Sequence, residues 1–441
     1  MGPAKGVEAT RQVVMVCLDE LVPGDDLYRR IDALVEWGFV RAAAAPYYAD
    51  ALGRPSVDPI VLLKLMLVGA LEGIGSMREL LRLAGRDLSV RRFLGYGLGE
   101  RLPAHQTVSE AHSRRFVDAR IFEQAFQRTV CLCAAHDFLD GTHLSVDGFH
   151  AEADAALASL RASLALAPAL EPAEAALGEE PLPLPVPAQL ALAEARSGPT
   201  PKRRSSNATS VSRTDPDAKL RGKPGQRPHL VHRGQVAVDP KARCVVSCLG
   251  EAASGYEGDG LARILDRARF ACPELVSVGA DQGYAAERVY KDARRRRLVA
   301  YVPPQPTMLP PAGCEARTEA EREALAARER CKTEAGIWAH KRRMADAEGV
   351  VSELKLQHAL GRARCRGTPL FHIQLLLGCA AINLKRLATH LPEAAAGVAA
   401  APVCEQTAPP KAGASSDRCF ARTGTPPLEA SGLYTIAVCL N

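Results

Sequence analysis

Residues 229–250, HLVHRGQVAVDPKARCVVSCLG, decide the fold class. In 229–239 apolar and polar side chains alternate with a period of two, and the β-type run RCVVSCLG (243–250) follows across a turn at Asp239-Pro240. That pattern predicts an antiparallel hairpin. Upstream, HLSVDGFH (143–150) has a short β-type core of its own. Downstream, GDGLARILDRARF (258–270) is spaced as a helix, ELVSVGAD (274–281) as a strand, 285–295 as a helix, and RLVAYVPP (297–304) as a buried strand ended by prolines. The order β, insertion, β, β, α, β, α, β predicts a mixed sheet flanked by helices, an α/β domain. Helices over about 341–359 and 369–388 are expected to close it.

Residues from about 10 to 130 read as helical. Asp58-Pro59 sets a cap and a first-turn proline before IVLLKLMLVGAL, Ser76 and Glu79 are spaced as a capping box, and another start lies at Pro103 to Thr107. The helix expected after it carries Arg114 and Arg115. Short helices joined by tight turns suit a DNA-binding domain, and equally an ordinary bundle with solvated arginines.

Between these regions the texture changes. Residues 150–200 are rich in Ala, Leu and Pro with an acidic excess, and PLPLPVPAQ forbids a continuous helix. Residues 201–228 carry eight basic side chains against two acidic ones, the composition of a solvated linker or of a segment that tracks a phosphate backbone. We therefore expect a helical domain at 10–130, a catalytic domain made of 140–150 and 229–388, an insertion or linker at 151–228, and a disordered tail at 389–441.

The whole chain of 441 residues is long enough for two or three cores. Its 56 Lys and Arg against 50 Asp and Glu give a net charge of +6, which permits a polyanionic partner without requiring one. Thirteen Cys without CxxC pairs argue against a disulfide framework and a structural zinc site. The most apolar run, from Ile60 to Leu71, is interrupted by Lys64 and followed by Glu72, so no membrane span is expected. The opening residues do not resemble a signal peptide, and a cytoplasmic, nucleoid-associated protein is the expectation.

Three carboxylates carry the chemistry. Asp147 sits inside the first strand, Asp281 ends the fourth and is followed by Gln282-Gly283-Tyr284, and Glu348 lies in the late helix. Taken singly, each is ordinarily a cap or a surface charge. A mid-strand carboxylate needs a partner, however, because burying its charge alone is costly. Acids at neighbouring strand ends plus one on a packed helix can hold Mg²⁺, which prefers oxygen ligands. Lys355 follows Glu348 by seven residues and Arg362 follows by seven more, so all three share a stripe if the helix continues. Gly349, next to the acid, weakens that helix by up to about 1 kcal/mol relative to Ala.

These residues resemble the DDE transposases of bacterial insertion sequences. The resemblance runs over most of 55–388. It rests on LSVDGFHAEA, TDPDAKLRGKPGQRPHLVHRGQVAVD, GADQGYAAERVY, and HKRRMADAEGVVSELK followed by an Asn-Leu-Lys-Arg helix. It implies a catalytic domain of ribonuclease H-like fold. Asp147, Asp281 and Glu348 would be the catalytic, metal-binding triad for Mg²⁺ or Mn²⁺, with two ions. Arg343 and Lys355 would contact DNA, joined by Arg362, Arg114 and Arg115 from the basic stripe and the helical region, and Tyr284 would be an accessory residue. The implied partners are double-stranded DNA, as element ends and as target, and a second copy of the chain when bound to ends. Three functions suit this pattern: metal-dependent cleavage and strand transfer of element ends, a repressor that keeps the fold without the chemistry, and a purely hydrolytic nuclease. The retained acids favour the first.

Overall fold

The computed structural model describes residues 15–48, 56–112, 116–118, 120–162, 207, 210–222 and 227–391. Arg114, Arg115, most of the 151–228 segment and residues 392–441 of the expected tail lie outside them.

Strands β1 (His143–Glu152), β4 (Lys219–Arg221), β5 (His229–Val238), β6 (Val245–Ala252), β7 (Ser277–Gly279) and β8 (Val299–Tyr301) form one mixed sheet, while β2 (Leu160–Ala162) and β3 (Ser210–Ser212) make a separate pair. The main sheet runs β5–β1–β7–β8, and β4 and β6 both pair with the outer edge of β5. β5 is antiparallel to β6, as the hairpin reading predicts, and β1 is also antiparallel to β5. β1, β7 and β8 are parallel, as expected where helices make the crossovers. The crossover helices are Leu261–Ala268, between β6 and β7, and Glu287–Arg295, between β7 and β8. Nearly every residue of β5 is buried, so this is a central strand covered on both faces.

The cover is the helix Thr368–His390, which packs along β6 and against the helices Leu27–Leu34, Pro59–Leu71 and Ile121–Ala135. By length and composition it could cross a membrane, whereas the sequence singled out only 60–71; in the structure 78% of its apolar window is buried in the protein core. Asn383 pins it to the sheet. Its side chain accepts from the Val245 amide at 2.8 Å and donates to the Val245 carbonyl at 2.9 Å, satisfying both backbone groups where β6 begins. At the other end Gly250 approaches His372 so closely that a Cβ there would fall 2.7 Å from the His372 Cα. Gly367, at φ 86°, starts this helix, and its first amides find acceptors in the loop between β3 and β4: Asp215 takes Gly367 N–H and Asp217 takes Thr368 N–H. Asp215 also meets His232 of β5 at 2.9 Å, both side chains fully buried, which ties residues 210–222 to the sheet.

The N-terminal helical region begins its helices where the capping residues predict. Asp58 accepts from Ile60 N–H ahead of Pro59–Leu71, and Ser76 accepts from Glu79 N–H ahead of Met77–Arg86. One core runs without a break from these helices into the sheet.

Candidate active site

Parallel pairing places the first two acids. The register of β1 and β7 ends at Ser145 beside Gly279, and two residues further along each strand come Asp147 and Asp281. A period of two keeps each on the same side of its strand as the last registered residue. β1 continues beyond the end of β7, held by β5, where Asp147 faces Val236. Asp281 leaves its strand directly into a short 3-10 turn, Gln282–Tyr284.

Glu348 arrives by a different route. Helix Glu334–Arg343 does not run on uniformly; a π turn, Met344–Glu348, separates it from helix Gly349–Leu356. The extra residue in that turn rotates the second helix relative to the first, the kind of local adjustment that places a functional side chain. Arg343, the last residue before the turn, reaches both sides of the site. Its Nη2 lies 2.8 Å from Glu348 Oε1 and its Nη1 lies 3.7 Å from Asp147 Oδ1.

Burial raises the Asp147 carboxyl to about 6, and the nearby charges of Asp281 and Glu348 push the same way. Arg343 and the Gly148 N–H, which donates to Asp147 Oδ1 at 2.9 Å, oppose the rise. The sign of the result shows that burial and the neighbouring acids together outweigh Arg343. Asp281 Oδ1 is buried and has no hydrogen-bond partner among the described residues. Tyr284, completely buried, also ends in an unpartnered hydroxyl, against the backbone of Gly148, where a Cβ would meet it at 3.0 Å.

Lys355 stands exposed on helix Gly349–Leu356 with its ammonium 5.4 Å from the Phe149 ring centroid. Desolvation holds it below the ordinary lysine range while the Asp147 charge pulls it up. Arg362 does not share the expected stripe. The helix stops at Leu356, the backbone turns through Ala359 at φ 52°, and Arg362 instead runs beside the end of β1, where it bridges to Glu152 and meets Asp154 at 3.6 Å. Arg366 reaches the same Asp154, and Arg386 is taken up internally by Glu353 at 3.0 Å. The guanidinium end of Arg243 lies over Gly349 and would have to swing aside for a Cβ there. Sequence reasoning missed Glu257. It lies in the 3-10 turn Glu257–Asp259 after β6, and its carboxylate sits against Gly283, beside Asp281. No spacing rule relates 257 to the other acids; only the crossover from β6 brings it there.

Among the described residues no three His, Cys, Asp or Glu side chains already form a metal cluster. The donors nevertheless suit a hard cation. All are carboxylate oxygens, one of them buried and unpartnered at Asp281, and Arg343 supplies the positive charge between Asp147 and Glu348.

Residues 16–114 match the family model described as a transposase domain (DUF772), and residues 311–388 match that of a transposase DDE domain. No curated protein and no solved structure matches the chain.

Proposed function

We infer the reaction from a premise that the two family matches supply: this chain is a DDE transposase of an insertion element. The activity proposed is cleavage of the element's DNA ends and transfer of the freed strand to target DNA, dependent on Mg²⁺ or Mn²⁺. The observation that supports it is the position of Asp147 and Asp281, each two residues beyond the last β1–β7 pair, together with Glu348 on the same guanidinium as Asp147. The strand order, with β1 antiparallel to β5 and parallel to β7, supports a ribonuclease H-like catalytic domain.

Asp147, Asp281 and Glu348 are the residues that would hold two divalent ions. Ions so placed, when bound, would activate the attacking oxygen and stabilise the leaving one. The chain's own groups do the remaining work. Gly148 N–H fixes the orientation of the Asp147 carboxylate. Lys355, beside Phe149 of β1, offers its charge to a phosphate near the acids. Arg343 keeps Glu348 and Asp147 on one centre of positive charge and can pass that charge to a DNA phosphate when cations take its place. A second copy of the chain at paired ends is part of the same proposal.

The test is a DNA duplex carrying the element's own ends, incubated with Mg²⁺ or Mn²⁺. Wild type should nick the ends and yield joined product. Asp281→Ala should abolish both while end binding survives, because affinity for DNA comes mainly from Lys and Arg at phosphates. Cleavage by this variant at the wild-type rate would remove Asp281 from the site, and nicked ends without joined product would leave the purely hydrolytic nuclease.

A further inference from the structure

We propose that Glu257 is a fourth carboxylate of the acid site, and that the first divalent cation to bind the protein does so on the side formed by Asp281 and Glu257 rather than at Glu348. The inference rests on the functional reading above, and it concerns a residue outside the Asp147, Asp281 and Glu348 triad.

The geometry is set at Gly283. The position its Cβ would occupy lies 2.5 Å from Glu257 Oε2 and 3.0 Å from Asp281 Oδ1, so the two carboxylates crowd one point from opposite elements. Neither makes an ion pair or a side-chain hydrogen bond with any described residue. Asp281 Oδ1 is also buried from bulk solvent. Two adjacent carboxylates without a counter-charge are unfavourable in a poorly solvated site, and elsewhere in this protein comparable acids are paired. Glu251, on the neighbouring strand, has both Arg233 and Arg263. Glu348 has Arg343. Among the described acids of this site, Asp281 and Glu257 are the two without an ion pair.

Tyr284 gives an independent sign. It is fully buried, and its hydroxyl, which lies against Gly148 next to Asp147, has no partner among the described residues. Such a hydroxyl is available to a water carried by a bound cation.

The backbone makes the arrangement firm. Gln235 of β5 donates to the Glu257 carbonyl at 3.0 Å, fixing the turn, and Gly258 packs so tightly on Tyr256, Val289 and the Tyr284 carbonyl that any Cβ there would overlap them. Glu257 is therefore carried to Asp281 by the fold. Glu348, by contrast, must first give up Arg343 to accept a cation.

Mn²⁺ titration of the whole, DNA-free protein, followed by electron paramagnetic resonance and by calorimetry, tests this. Glu257→Gln and Asp281→Asn should each weaken the tighter Mn²⁺ event by about tenfold or more, Glu257→Asp should recover part of that loss, and Glu348→Gln should weaken it less than either. Thermal unfolding in EDTA keeps a folding defect separate from a lost ligand. Wild-type Mn²⁺ affinity in Glu257→Gln overturns the inference alone. Failure of the wild-type protein itself to bind Mn²⁺ overturns the functional reading and the inference with it.

Discussion

Arg343 and Glu348 are joined across the π turn, Nη2 to Oε1 at 2.8 Å, and the same guanidinium faces Asp147 on β1. One side chain on the helix thus balances an acid on the turn and an acid on the sheet. Without it Asp147 would face the charges of Asp281 and Glu348 with the Gly148 N–H and the more distant Lys355 to oppose them. Arg343→Gln should therefore raise the Asp147 carboxyl above its present value of about 6 in metal-free protein. Carboxyl-carbon NMR over a pH series measures this directly, and an unchanged or lower value would mean that Arg343 does not act on Asp147.

The elevated Asp147 value also fixes a pH dependence. The folded-state carboxyl titrates near 6 against 3.8 for the unconstrained group, so the native state holds the proton more tightly. Its contribution to stability is present below the unfolded value and is lost as pH rises through the folded value. Asp147→Asn, which carries no charge at any pH, should accordingly stabilise the metal-free protein above about pH 7 by on the order of 2 kcal/mol, the gain fading towards about pH 4. Urea unfolding in EDTA across that range checks it; a gain that grows as pH falls has the wrong sign.

Much of this architecture was legible because its signals are local. Alternation in 229–239 and the Asp239-Pro240 turn gave the hairpin, Asp58 and Ser76 gave helix starts, and a Gly-containing turn after ELVSVGAD gave the end of β7. The strands shortened where neighbours and not composition set the limit: β7 pairs only over Ser277–Gly279. Helix Glu319–Lys332 went unassigned although Thr318 and Glu321 make a reciprocal capping box, a signal that was available. The π turn was not legible, since an added residue within a helix leaves composition unchanged. Nor was the end of the late helix at Leu356, because nothing in LKLQHALGRAR marks it as strongly as the tertiary contacts do: Gly73, at φ 65°, sits against the Gln357 carbonyl, and His358 bonds the Ala70 carbonyl at 2.8 Å. Glu257 was hidden for the same reason, being close to Asp281 only across a crossover.

The Asn-Leu-Lys-Arg segment has a structural meaning that bears on stability. Asn383 acts as a strand partner for Val245. Asn383→Leu keeps most of the volume but leaves a buried amide and a buried carbonyl unpaired, at a cost of about 1–3 kcal/mol for each group. The melting temperature should fall by several degrees or more, and hydrogen exchange at the Val245 amide should accelerate. A neutral effect on both would mean that water or a shifted β6 replaces the amide.

The end of the helix at Leu356 separates two basic residues that sequence spacing would have joined. Lys355 stays over Phe149, within the influence of Asp147, whereas Arg362 lies exposed beside the end of β1 with Asp154 as its counter-ion. If Lys355 aligns the reacting phosphate, Lys355→Ala removes one of many contacts from DNA affinity but the specific one from the transition state. Single-turnover cleavage at saturating protein should then fall far more than affinity does. Arg362→Ala removes an exposed cation whose charge Asp154 already partly balances, so it should reduce binding slightly, lower the salt slope by up to about one unit, and leave the saturated rate near wild type. Both variants measured side by side, with salt-dependent binding curves and rapid-quench rates on the same duplex, separate position from charge: equal rate losses would leave Lys355 with no role beyond that of a surface cation.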